Sequence, residues 1–518
     1  MMGAVLVMAL SLLNIACSSS SDGIGDGGGN PSPSVTPVVP KPDAGNDLYG
    51  VVSDKEGNPL SGIVVSDGFQ CVSTDARGFY QMKRNAQAEF VNYSIPSGYK
   101  AKSNQFYQTL KADKEEYNFK LEKLADNENH FYLLAIADPQ VTNNPEITRF
   151  TEETLPDVKA TLATLSLPVY GICLGDIVNN MMEHMKAMNT LLNSTTMPMF
   201  ACIGNHDKDP QTDTSKPRTT KSYTAQFGPL NYSFNRGKVH FICLDNIIFS
   251  NTDDYVAGFT DEQVEWMRKD LQYVPKDRLI ILYYHIPVRE SNAQNREEIL
   301  SLLKGYDHVK LMCGHTHYNQ NYQITSPIQV EERITGAACG AWWHGVICAD
   351  GTPNGYEVYE INGNEFVDNY YKSTRFDKSY QIRLHRGDSS FGGEYGSFDY
   401  ALTSDYVVAN IWNYDPTWHV SIYEDDKYMG EMTYRAYKPD AWAGGYMLGT
   451  LNRNPQNYSP TSAHEFIYHL HNPQAKVRVE AIDGWATPIH RPNLSALSVL
   501  LRLINSNSHH SIVSLNSY

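Results

Sequence analysis

The sequence predicts an α/β (α+β) protein in which one central layered domain is flanked by two smaller all-β domains. Three observations lead to this. Between residues 130 and 375, apolar runs of strand length alternate with stretches of helical periodicity, which is the pattern of α/β layers. Residues 47–124 and 376–487 instead carry short alternating strands broken by turn residues. The length, 518 residues, suits about three domains.

Taken in order, residues 3–16, GAVLVMALSLLNIA, form an apolar run that ends at Ala16 and Cys17 and is too short to span a bilayer. The run resembles a bacterial lipoprotein signal over residues 1–17, with Cys17 as the acylated first residue of the mature chain. The SSSSDG that follows resembles the export signals of Bacteroidetes-type surface lipoproteins. This resemblance implies export to the periplasm or cell surface and attachment to the membrane, the outer membrane above all, through an N-terminal lipid anchor. Two features depart from the pattern: no Lys or Arg precedes Lys41, and Asn14 stands where an apolar residue is usual. A secretory signal cut elsewhere is the competing reading. Residues 18–46, rich in Gly, Pro and Ser, read as a disordered linker that tethers the folded part.

Residues 47–124 contain LYGVVSDKEGNPLSGIVVSDGFQCVSTDARGFYQMK, in which EGNP, SDG and ARG turns separate short strands. The segment resembles prealbumin-like or carboxypeptidase-regulatory β-sandwich modules and gathers no cluster of chemical residues, so it reads as a spacer or docking module. Residues 376–487 read as a second sandwich. The last stretch, 488–518, has no Asp or Glu in an otherwise acidic chain and reads as an irregular tail. Net charge is −16, which argues against a nucleic-acid polymer as partner, since phosphate backbones are held by an excess of Lys and Arg. Beyond Cys17 the cysteines at 71, 173, 202, 243, 313, 339 and 348 form no CxxC pair. Those at 173, 202, 243 and 313 lie in apolar runs and read as small buried hydrophobes.

The central region carries the chemistry. Its apolar runs end in polar, metal-competent residues: Asp138 and Gln140 as DPQ, Asp176 as GD, Asn205 and His206 as GNHD, His285 after LIILYY, and His315 and His317 as GHTH. Functional groups gather beyond the carboxyl ends of strands in α/β sheets. Five strand ends thus deliver eight polar groups to one edge. Carboxylate, amide and imidazole donors without thiolate suit Mn, Fe, Zn or Mg. A carboxylate shared by two cations about 3.5–4 Å apart makes a clamp for phosphoryl displacement.

This ordered set closely resembles the calcineurin-like metallophosphoesterases, over about residues 130–375. The resemblance implies a four-layer β-sandwich flanked by helices and a hydrolase of phosphate ester or pyrophosphate bonds, working by in-line attack of a metal-bridging hydroxide. It implies two metal ions. Asp138, Gln140, Asp176 and His317 would hold the first, and Asp176, Asn205, His285 and His315 the second, with Asp176 bridging. His206 would bind a phosphate oxygen or protonate the leaving group. The implied substrate is a phosphate ester on a small molecule or lipid head group. Gln140 departs from the family's usual His, as in a DPQ subgroup. Asn179 stands where some relatives have an Asp that orients the catalytic histidine.

Further candidates are open at this stage. Trp342, Trp343 and His344, with DGTPNGY at 350–356, resemble a segment recurrent in the subgroup and would wall the substrate pocket, or equally pack at a sheet edge. Arg289 would grip phosphate through a bidentate fork, or form a surface salt bridge. Asp207 reads as a brace of the GNHD turn. The alternative to an enzyme is a non-catalytic surface lipoprotein that binds a ligand or glycan beside a degenerate metal site, with Gln140 and Asn179 as its support.

Overall fold

The computed structural model describes residues 39–101, 105–289, 292–339, 345–387, 402–452 and 461–482. Two mixed sheets form its centre. The first runs Met199–Ala201, Val169–Cys173, His130–Ile136, Gly355–Asn362, Glu365–Ser373, with the first three strands mutually parallel and the last two antiparallel. The second runs Tyr232–Arg236, Val239–Cys243, Leu279–Tyr283, His308–Cys313, Val330–Ile334, Gln320–Ile324, parallel except at its two edges.

The near-continuous apolar runs follow from burial on both faces. Phe131, Leu133 and Ala135 join the core between the sheets, whereas Leu134 and Ile136 pack with Leu155, Val158, Met185 and Met188 of the outer helices. In the second sheet Ile281 and Tyr283 face inward, while Ile280, Leu282 and Tyr284 pack with Val264 and Met267 of the helix Asp261–Asp270. Helix, sheet, sheet and helix therefore make four layers. The helix Asp261–Asp270 opens with a capping box: the Gln263 amide N–H donates to Thr260 Oγ1, and the Gln263 side chain accepts from the Thr260 N–H. Leu271 falls in the 3-10 turn that follows the helix.

Both flanking regions are β-sandwiches. The N-terminal one has two four-stranded sheets. It is not a detached spacer, because its apolar residues Val65, Tyr93, Ile95 and Phe106 belong to the same core as the central strands. Trp266 Nε1 donates to Ser66 Oγ at 2.9 Å, and the Phe106 ring lies 5.0 Å from that of Tyr232. The C-terminal sandwich packs a four-stranded sheet, which includes Tyr406–Ile411 and Glu465–His469, on the three strands Lys427–Glu431, His419–Glu424 and Val477–Ile482. It meets the central domain at a buried polar node. Asp350 accepts from His464 Nε2 at 2.8 Å, from Thr352 and from the Asn319 N–H, while its own carbonyl accepts from Asn410. The cysteines 71, 173, 202, 243, 313, 339 and 348 are all buried and free. No helix among the described residues is long and apolar enough to cross a membrane. Cys17 and the tail 488–518 lie outside the described residues.

Candidate metal centre

The polar groups converge where the parallel strands of the two sheets end. Asp138, Gln140, Asp176, His315 and His317 all have left-handed backbones, with φ between 41° and 72°. Such conformations cost about 1–3 kcal/mol each and persist where surrounding contacts over-determine them. Here the contacts are between loops: Asp138 N–H donates to Gly175 O, and Gln140 N–H to Asp176 O at 2.7 Å. His315 N–H donates to the Asp138 carboxylate at 2.9 Å, and His206 N–H to Asp176 Oδ1 at 2.8 Å. The loops also approach too closely for a side chain at Gly204, where a Cβ would stand 2.7 Å from Asp176 Cα and closer still to its N and Oδ1.

The side chains form two groups that share one member. Asp176, His285 and His315 offer ligand atoms within 4.8 Å of one another, and so do Asp138, Asp176 and His317. His285 Nε2 is 3.2 Å from Asp176 Oδ2, 3.1 Å from Asn205 Oδ1 and 3.2 Å from His315 Nδ1. His317 Nε2 is 3.3 Å from Asp138 Oδ1. The ring of His285 is aimed by its Nδ1 at Leu174 O, 2.7 Å away, and its backbone N–H by Asn246 Oδ1. Burial would raise the Asp176 carboxyl, but the imidazoles of His285 and His206 outweigh it and hold it below the usual range. Burial opposes a charge on His285, yet Asp176 raises its pKa to about 9. Burial and the neighbouring His285 push His315 down to about 3.

The donor set fits a cation. Gln140 is buried, and neither its Oε1 nor its Nε2 has a hydrogen-bond partner, which is costly unless something else satisfies them. Oxygen and imidazole donors of the two groups meet from opposite sides. Divalent ions held there would neutralise phosphoryl charge and lower the pKa of a bound water.

Other expectations fare differently. Asn179 does not orient His206; its Nδ2 donates to Thr142 Oγ1 at 3.0 Å. The next residue, Asn180, takes that place, with Nδ2 2.8 Å from His206 Nδ1. The doublet NN is visible in the sequence, but the φ of 60° that turns the second Asn toward His206 is not. Arg289 forms no salt bridge among the described residues; its half-buried guanidinium donates to Tyr318 OH, at 2.8 Å, and to Gln320 Oε1. Asp207 braces the GNHD turn, accepting from Gly204 N–H and Val178 N–H, both at 2.9 Å. Trp342, Trp343 and His344 lie outside the described residues. Besides Asn180, three residues escaped the sequence reading: Asn246 beneath His285, Arg218 beside Asn180, and Tyr255, whose ring meets that of His315 edge-on at 6.4 Å.

Three family models match the chain: the N-terminal part of calcineurin-like phosphoesterase over residues 46–124, calcineurin-like phosphoesterase over 131–319, and its C-terminal part over 332–487. A probable glycerophosphodiester phosphodiesterase GpdQ of Arcobacter nitrofigilis is 25% identical over 153 residues, which are 28% of this chain and 54% of that protein. The chain thus spans about half the length of the curated relative it matches. Among solved structures, a dimetal phosphatase from Danio rerio is 14% identical, with 48% of this chain and 96% of that one covered and a TM-score of 0.34. A 5'-nucleotidase from Candida albicans is 12% identical, with 48% and 52% covered and a TM-score of 0.32.

Proposed function

From the premise that this chain belongs to the calcineurin-like phosphoesterases and is a metal-dependent phosphoesterase, we propose that it hydrolyses a phosphate ester or pyrophosphate bond of a small molecule or lipid head group at a two-ion centre. The observation that carries this reading is the membership of Asp176 in both ligand groups, with Asp138 and His317 on one side and His285 and His315 on the other. Gln140 completes the first site and Asn205 the second. Bound ions supply charge neutralisation and an activated water. The chain's own residues do the rest. The left-handed turns hold the donors in register before substrate arrives, and His206, anchored by its N–H on Asp176, meets a phosphate oxygen or the leaving group. The relative named as a phosphodiesterase supports small phosphodiesters among the substrates.

Metal analysis of the purified chain, together with a panel of phosphate mono-, di- and pyrophosphate esters assayed in Mn, Zn, Fe and Mg, tests the reading. Two ions per chain and turnover of at least one ester are expected. Asp176→Asn should remove both, whereas His206→Ala should lower turnover and keep the metal. A metal-free protein that turns over none of the panel overturns the hydrolase and leaves the binding lipoprotein. We also propose that the enzyme is exported and anchored through Cys17. Labelled palmitate should be incorporated into the wild-type chain and not into Cys17→Ala; equal labelling of both refutes the anchor.

A further inference from the structure

Beside the two ligand groups lies a chain of hydrogen bonds that the motif pattern does not include. Arg218 donates through Nη1 to Asn180 Oδ1, and Asn180 Nδ2 lies 2.8 Å from His206 Nδ1. The order of these atoms is forced. A guanidinium has only donors, so the Asn180 atom it meets must be the amide oxygen. That leaves the NH2 group, which also only donates, facing His206. His206 Nδ1 must therefore accept, and the ring proton must sit on Nε2, which makes no hydrogen bond among the described residues. A carboxylate in the place of Asn180 would impose the reverse, since it accepts from Nδ1–H.

The arrangement is held from three directions. The Asn180 N–H donates to His206 O at 3.0 Å, which ties ring and backbone to one partner. Arg218 Nε donates to Thr252 O at 2.7 Å, and its guanidinium lies 5.1 Å from the ring centroid of Phe249. The hairpin strands Ile247–Phe249 and Tyr255–Ala257 thus buttress the arginine, the arginine fixes the amide, and the amide fixes the imidazole.

We propose that Arg218 and Asn180 are positioning residues that set the hydrogen-bond polarity of His206, so that it presents Nε2–H as a donor to the phosphoryl or leaving-group oxygen. The role of that donor rests on the hydrolase reading above; the location of the proton does not.

The test is therefore spectroscopic first. The full chain, labelled with 15N-histidine, is examined by long-range 1H–15N correlation at neutral pH, with the His206 signals identified by their loss in His206→Gln. A non-protonated Nδ1 and a protonated Nε2 are expected for the wild type. Asn180→Asp should move the proton to Nδ1, Arg218→Met should abolish the single fixed pattern, and Arg218→Lys, which still donates to the amide oxygen, should restore it. A wild-type His206 protonated on Nδ1, or a pattern unmoved by Asn180→Asp, overturns the proposal. Turnover then separates the two readings. If the wild type hydrolyses an ester, Arg218→Met should lower kcat by about 10- to 100-fold with KM and metal content nearly unchanged. If the wild type hydrolyses nothing, the hydrolase reading fails while the 15N pattern still decides the positioning pair.

Discussion

Gly204→Ala is the sharpest perturbation of the centre, because it adds one methyl group and no charge. Gly204 precedes Asn205 and His206, and the Cβ it lacks would stand 2.7 Å from Asp176 Cα, nearer still to Asp176 N and Oδ1. The Asp176 backbone N and Cα line that gap, so rotation of the Asp176 side chain alone cannot relieve the clash. Either the GNHD turn or Asp176 must move by on the order of 1 Å, a displacement that costs about 100-fold when it misplaces a catalytic group. Asp176 belongs to both ligand groups, so both sites should lose affinity together. Overpacking adds a stability loss of about 1–3 kcal/mol. The assay is kcat/KM on the best ester of the panel, well below the melting temperature, with metal content measured on the same sample. Unchanged kcat/KM with full metal content would show that Asp176 does not need the position it holds here.

Three further outcomes follow from the packing. Removal of residues 47–124 should leave a chain that binds ANS or fails to stay soluble, since Val65, Tyr93 and Phe106 complete the central core; a monomeric, ANS-silent remainder would refute that. Arg383→Met should cost about 3–5 kcal/mol in urea unfolding, because it leaves the buried Asp440 carboxylate without its guanidinium; an unchanged midpoint would count against the ion pair. Glu357 gives a pH dependence. Burial, opposed by Arg333 and aided by Glu331, raises its carboxyl to about 8 from an ordinary 4.5. Between those values the folded chain keeps a proton that the unfolded chain releases, so this group's contribution to stability falls as pH rises through the window and levels off above it. Glu357→Gln should flatten that part of a pH-melting profile, and an identical profile would refute the assignment.

The sequence by itself determined which donors exist and where along the chain they stand. DPQ, GD, GNHD, a lone His and GHTH each end an apolar run, and strand ends are legible because burial on both faces leaves a continuous apolar signature. Composition and turn residues likewise separated two β regions from the layered centre. Only the tertiary structure decided which groups meet. Asn180 rather than Asn179 reaches His206 because of a left-handed φ, and Arg218 secures it from 38 residues away. Asp350 finds His464 across 114 residues, and Trp266 finds Ser66 across 200. Periodicity records whether a residue is buried; it does not record what lies on the other side of the interface. A partner brought from another loop by folding leaves no mark at either position.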